Sequence, residues 1–215
     1  MINRLITLGC SLTHHAGWAS TLQKSLDVPL INLSMSSGSN QLQQWRYQEL
    51  VLRNEITSND LIVWQITGAE RQFLRIKSKS ANVEALNDTV RFSKNIFDKD
   101  DRLDYLSHNA PSETPQNTDP EQLLENLLFY IISAKMRSPN TFVLYGWKDC
   151  IEKGYRPTFE KQLDQNNIKL VEQPIVEWCR KNKLEFKGDG NHPENSAYQQ
   201  YVDKCLLPTL RNHIV

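Results

Sequence analysis

Residues 61–66, LIVWQI, are the most continuous apolar run in the chain. A run this short, rich in β-branched and aromatic residues, fits a strand buried on both faces, as found inside a parallel sheet. Similar runs recur along the chain. Residues 4–9 (RLITLG) read as a first strand closed by a glycine, 29–34 (PLINLS) as a second, 141–146 (TFVLYG) as a fourth and 184–187 (LEFK) as a short fifth. Helical patterns lie between them. Trp18, Leu22 and Leu26 share one helix face, and residues 41 to about 55 carry Leu42, Trp45, Leu50 and Leu52 at mixed helical spacing. Asp119-Pro120-Glu121 supplies an N-cap, a first-position proline and a first-turn acid ahead of Leu123, Leu124, Leu127, Leu128, Ile131 and Ile132, and Ser138-Pro139-Asn140 stops that helix. Residues 174–183 and 193 to about 212 read as two further helices. Strands alternating with helices predict an α/β fold whose parallel sheet is covered on both faces, and such sheets bind ligands where their strands end.

Composition narrows the function classes. The length of 215 residues is that of one domain, 1–215, with a core of ordinary size. Lys+Arg and Asp+Glu are both 25, so zero net charge offers no electrostatic footprint for nucleic acid or an anionic membrane. No run approaches the ~18 apolar residues of a membrane span. Gly9-Cys10 superficially resembles a lipoprotein cleavage site, but the apolar stretch before it is shorter than the roughly 7–15 residues of a signal h-region. Cys10, Cys150, Cys179 and Cys205 lie far apart with no C-x-x-C pair, which predicts reduced thiols, a cytoplasmic location, no zinc site and no disulfide framework. Between about residues 72 and 118 periodicity weakens and Asn, Asp, Ser and Lys accumulate, the mark of a polar insert that flanks or covers the domain.

Two short motifs carry chemistry. Gly9-Cys10-Ser11-Leu12-Thr13 sets a serine just past the first strand, where the following amides turn into a helix and can stabilise an oxyanion. Such a serine is also an ordinary helix cap. Asp189-Gly190-Asn191-His192-Pro193 sets an aspartate three residues before a histidine, so the carboxylate can hold Nδ1–H while Nε2 turns to a nucleophile. That motif alone is also a common polar turn. Together, a serine after the first strand and D-x-x-H before the last helix have the composition of a Ser-His-Asp triad. Cys10 is a rival nucleophile, but neighbouring residues in an extended turn point different ways and one of the two faces His192.

In these two blocks the chain resembles the SGNH (GDSL-like) hydrolase family, serine esterases and acyltransferases. Gly9-Cys10-Ser11-Leu12 matches the family's G-D-S-L opening, and Asp189 to His192 its closing D-x-x-H. The resemblance implies a three-layer α/β/α flavodoxin-like fold with a five-stranded parallel sheet. It implies Ser11 as nucleophile, His192 as base and Asp189 as its orienting acid. The Ser11 and Gly38 amides would form the oxyanion hole. Two positions depart from the family pattern. Cys10 stands where the family has aspartate, and Thr67-Gly68-Ala69-Glu70 stands where it has G-x-N-D, so the third-block asparagine donor is missing at Ala69. Asn40, two residues beyond Gly38, is the substitute donor on this reading and a helix cap on the plainer one.

Arg71 at the end of the third strand is a candidate clamp for a substrate carboxylate or phosphate, or a partner for Glu70. His14 and His15 either line the pocket or are solvated, with no third ligand for a metal. Trp147 and Tyr145 are candidate aromatic platforms for a sugar, or core. The expectation is a serine esterase acting through an acyl-enzyme on short acyl esters, such as O-acetyl groups of a carbohydrate, with no metal or organic cofactor. Its partners are then a small-molecule or glycan ester, not nucleic acid or membrane. The alternatives are an O-acyltransferase on the same triad and a catalytically degenerate SGNH-fold protein that binds a glycan.

Overall fold

The structure, a computed structural model, describes residues 2–14, 17–36, 38–68 and 119–214. Arg71, His15, Ala69, Glu70 and the polar insert lie outside the described residues. Five parallel strands, β1 (Arg4–Leu8), β2 (Leu30–Asn32), β3 (Asp60–Ile66), β4 (Thr141–Tyr145) and β5 (Lys169–Val171), form one sheet in the order β2-β1-β3-β4-β5. β3 is central and all seven of its residues are buried. Its side chains alternate between two cores, as the pleat requires. Leu61 and Val63 join Leu5, Leu144 and Val171 under α1 (Trp18–Leu26), α5 (Ile175–Lys181) and α6 (Asn195–Tyr201). Ile62, Trp64 and Ile66 join Ile6, Leu8 and Val143 under α2 (Asn40–Leu52), α3 (Pro120–Arg137) and α4 (Arg156–Gln165). The result is a three-layer α/β/α sandwich with a sheet order of flavodoxin type.

Local chemistry sets the boundaries. Asp119 caps α3 by accepting from the Glu121 N–H at 3.0 Å, and Lys135 and Arg137 sit in the last turn, where a cation is favoured. Asn54, at φ 53°, ends the α2 turn in the left-handed region that asparagine tolerates. The closing helix is not continuous α. After α6, Val202–Leu206 widens into a π turn in which the Leu207 N–H reaches Val202 O, before α7 (Leu207–Arg211). Pro208 explains the widening, since it has no N–H and its ring would press on the carbonyl four residues back in an unbroken α-helix.

The stretch after β4 differs most from the sequence expectation, in which α4 has no counterpart. The fifth strand is 169–171, not 184–187. Leu184 and Phe186 are half-buried while Glu185 and Lys187 are exposed, so the segment buries one side only. It makes a single antiparallel bridge, Phe186 to Pro193, that closes a loop on itself. The real fifth strand follows α4, whose Phe159 and Leu163 face the core, and a turn at Asn167 with φ 53°. The second strand is also shorter than residues 29–34, being Leu30–Asn32.

Candidate active site

β1 delivers the chain to Gly9 at the carboxyl edge of the sheet, and there it turns sharply. The Thr13 and His14 N–H groups both donate to Cys10 O at 3.0 Å, winding residues 10–14 into a helical turn with Ser11 at its crest. Gly9 has to be glycine, because a Cβ there would lie 2.1 Å from Thr13 Oγ1 and 2.6 Å from Gln65 Oε1. The Ser11 and Leu12 N–H groups donate to no acceptor among the described residues. They are open donors of a single isolated turn, and not of a helix as the sequence suggested, since α1 begins only at Trp18.

The opposing loop is built by the Phe186–Pro193 bridge. Lys187 N–H donates to His192 O at 2.8 Å, and Glu194 N–H to Glu185 O at 3.0 Å. Gly190 makes the tip at φ 69°, in the left-handed region that glycine enters without strain. Inside this loop Asp189 Oδ1 accepts from the backbone N–H groups of Asn191 (2.8 Å) and His192 (3.0 Å), and Oδ2 lies 2.5 Å from His192 Nδ1. Those two backbone donors, followed by the His192 ring, hold the Asp189 carboxyl down to about 2. An ionised Asp189 can only accept, so Nδ1 carries a proton, and in the neutral imidazole the lone pair is then on Nε2. Ser11 Oγ lies 2.7 Å from that Nε2.

Cys10 is turned the other way. Its thiol is fully buried and takes a hydrogen bond from Gln65 Nε2 at 3.3 Å. Thus Ser11 is the residue of the pair that faces His192.

The loop after β2 carries the other candidate donors. Arg46 of α2 braces it by donating to Leu33 O (2.9 Å) and Ser34 O (3.0 Å), and Asn32 Nδ2 reaches Thr13 O at 3.2 Å. Gly38 lies tightly in this loop, where a Cβ would come within 3.0 Å of Met35 O and 3.1 Å of Gly9 O. Its N–H donates to Met35 O at 3.0 Å. The helix cap is Ser39, whose Oγ accepts from Leu42 N–H at 3.2 Å, and not Asn40. Asn40 instead binds the residue after β3: Oδ1 accepts from Thr67 N–H at 2.9 Å and Thr67 Oγ1 at 3.2 Å, while Nδ2 donates to Thr67 O at 3.0 Å. A side-chain amide is thereby anchored at the end of β3.

Gly146, after β4, closes on the Ser11 turn, where a Cβ would touch Leu12 Cδ1 at 3.1 Å, while the next residue, Trp147, is half-buried and packs against both hydrophobic cores. His14 is half-buried in the turn that follows Ser11. Tyr145 is no platform: it is buried, with the Arg156 guanidinium 4.6 Å over its ring, and burial drives its hydroxyl well above the ordinary tyrosine range. Among the described residues no cluster of three His, Cys, Asp or Glu is arranged to hold a metal, and no helix is long and apolar enough to cross a membrane. Sequence reasoning missed Gln65, a lone amide in an apolar strand.

A doubly covered parallel sheet with a serine after β1 facing a D-x-x-H loop before the closing helix is the architecture of SGNH-like hydrolases. Comparison with solved structures agrees on the fold. A psychrotrophic esterase from Pseudoalteromonas sp. is 16% identical with a TM-score of 0.55, over 98% of this chain and 100% of that one. A member of the lipolytic G-D-S-L family from Veillonella parvula is 15% identical with a TM-score of 0.55, over 95% and 96%. An acetyl xylan esterase from the rumen bacterium Butyrivibrio proteoclasticus is 10% identical with a TM-score of 0.50, over 98% of this chain and 63% of that one. No family model and no curated protein matches the chain. The chain has the SGNH-like hydrolase fold.

Proposed function

We propose that this protein is a serine hydrolase of carboxylic esters. The observation that carries the reading is the unbroken hydrogen-bond chain from Ser11 Oγ through His192 to Asp189. In the proposed reaction Ser11 Oγ attacks the ester carbonyl as His192 Nε2 takes its proton, and ionised Asp189 stabilises the imidazolium. The tetrahedral oxyanion is held by the Ser11 N–H and by the hydrogen of Asn40 Nδ2 that does not go to Thr67 O. Gly38 N–H joins them by sharing its bond to Met35 O. His192 then gives its proton to the leaving alcohol oxygen, the C–O bond breaks, and an acyl-Ser11 ester remains. Water, deprotonated by His192, attacks the acyl carbon, the bond from that carbon to Ser11 Oγ breaks as His192 returns the proton to Oγ, and the acid leaves. An alcohol in place of water gives acyl transfer by the same steps.

A short acyl group on a carbohydrate, such as O-acetyl, is the proposed substrate class. The likeness of fold to an acetyl xylan esterase supports it. A binder without catalysis is the second reading, favoured by the Gly38 N–H being engaged at Met35 O. A fluorophosphonate probe separates them. Labelling mapped to Ser11, with turnover in a p-nitrophenyl acetate to octanoate series, supports the hydrolase; tight glycan binding without labelling supports the binder.

A further inference from the structure

We propose that Gln65 is a positioning residue for Ser11, an inference that rests on the serine-hydrolase reading. Gln65 lies on β3 and its side chain is fully buried on the sheet face that carries Cys10. Its amide is oriented by its partners. Cys10 N–H can only donate, and it meets Oε1 at 3.3 Å. Ile66 O can only accept, and it lies 3.3 Å from Nε2. These two backbone groups fix the orientation of the amide, and the Thr13 hydroxyl and Cys10 thiol follow it: Thr13 Oγ1, which accepts from the Trp18 indole N–H at 3.0 Å, donates to Oε1 2.5 Å away, and Nε2 donates to Cys10 Sγ at 3.3 Å.

The seat for this amide is made by two glycines at two other strand ends. A Cβ on Gly9 would stand 2.6 Å from Oε1, and one on Gly146 would stand 2.5 Å from Nε2. Carboxyl ends of β1, β3 and β4 therefore converge on one side-chain amide. It holds the residue before Ser11 by its N–H and the residue two after it by its hydroxyl. No hydrogen bond joins Gln65 to Ser11 itself, whose Oγ is hydrogen-bonded to His192. An error of about 1 Å in a nucleophile costs on the order of 100-fold in rate, so the proposed role is to keep Ser11 Oγ in line with His192 Nε2.

The test uses the full chain and measures three quantities on each preparation: kcat and KM for p-nitrophenyl acetate, the rate of fluorophosphonate labelling at Ser11, and thermal unfolding. Gln65→Met keeps the volume and removes the polar atoms. Thr13→Val removes only the hydroxyl, and Thr13→Ser restores it. Gln65→Met and Thr13→Val should each lower kcat and the labelling rate by about 10–100-fold per folded molecule, with KM changed by less than about threefold. The double variant should lose little more than either single one, because both act on the same link. Thr13→Ser should stay within about twofold of the parent protein. A folded Gln65→Met that labels and turns over at the parent rate, with only its melting temperature lowered, would overturn the role. If Gln65→Met does not fold, equal labelling rates in Thr13→Val and Thr13→Ser overturn it instead. Absence of labelling in the parent protein removes the hydrolase reading, and this role with it.

Discussion

Asn40 and Thr67 grip each other through both atoms of the Asn40 amide, so the first residue of α2 is locked to the first residue beyond β3. Any effect of replacing Asn40 on catalysis is therefore mixed with loss of this grip. Asn40→Ala should lower kcat by about 10–10³-fold with little change in KM, and should also cost about 1–3 kcal/mol for leaving the buried Thr67 backbone groups unpaired. Asn40→Asp retains an acceptor for the Thr67 N–H but has no amide donor. It should therefore lose kcat as Asn40→Ala does. Thermal unfolding and kcat measured on one preparation of each variant decide the matter: intact turnover with lowered stability leaves Asn40 as an anchor only.

Ser11→Ala should abolish fluorophosphonate labelling and lower kcat by about 10⁴-fold or more, since a triad without its nucleophile keeps only binding and oxyanion stabilisation. Stability should shift by no more than about 1 kcal/mol, because the Oγ makes one half-buried hydrogen bond. Cys10→Ser retains a small polar group beside Gln65 and should keep labelling at Ser11. A Cys10→Ser protein without activity, paired with an active Ser11→Ala, would transfer the nucleophile's role to Cys10.

Asp189 gives a pH signature. Its carboxyl is depressed from 3.8 to about 2 by the His192 and Asn191 backbone donors. A depressed acid stabilises the fold above its unfolded value, and that contribution is lost as pH falls from 3.8 through about 2. The melting-temperature gap between parent and Asp189→Asn should thus be present at neutral pH and close toward pH 2. At neutral pH the same variant should lower kcat by up to about 10⁴-fold, because an amide at this position favours the wrong imidazole tautomer.

Gly9→Ala tests the tightness of the turn. The new methyl would overlap Thr13 Oγ1 at 2.1 Å, and Thr13 and Gln65 are buried and hydrogen-bonded to each other. An overpacking cost of about 1–3 kcal/mol is expected, together with a slower labelling rate at Ser11. Unchanged labelling would mean that the turn relaxes without moving Ser11.

Much of the fold is readable in the sequence where a residue's own pattern decides the outcome. The buried run at 61–66 needs a two-faced sheet whatever its neighbours are, and Asp119-Pro120-Glu121 caps a helix by local chemistry alone. β5 escaped because it is a three-residue strand with Lys169 exposed and Leu170 half-buried, whereas 184–187 alternates cleanly but has only its own loop to pair with. Ser11, Asp189 and His192 are legible because the roles proposed for them demand particular side chains at particular places. The direction of the Gly38 N–H is not, since a backbone amide points where the whole loop sends it. Ser39 and Asn40 are both good caps, and only the position of Thr67 in space decides which one caps and which one reaches across. Gln65 left no mark because its partners lie on three strand ends that sequence spacing does not bring together.

Ser11 and His192 meet across 181 residues of chain, and the link between them depends on how α6 and α7 rest on the sheet. Partial opening of that outer layer would separate His192 from Ser11 while β1, β3 and β4 remained paired. The proposed hydrolysis would then be lost before the sheet. In a urea titration, labelling at Ser11 should disappear at lower denaturant than the far-ultraviolet circular dichroism signal, making the chemistry itself a gauge of how firmly the last helices are docked.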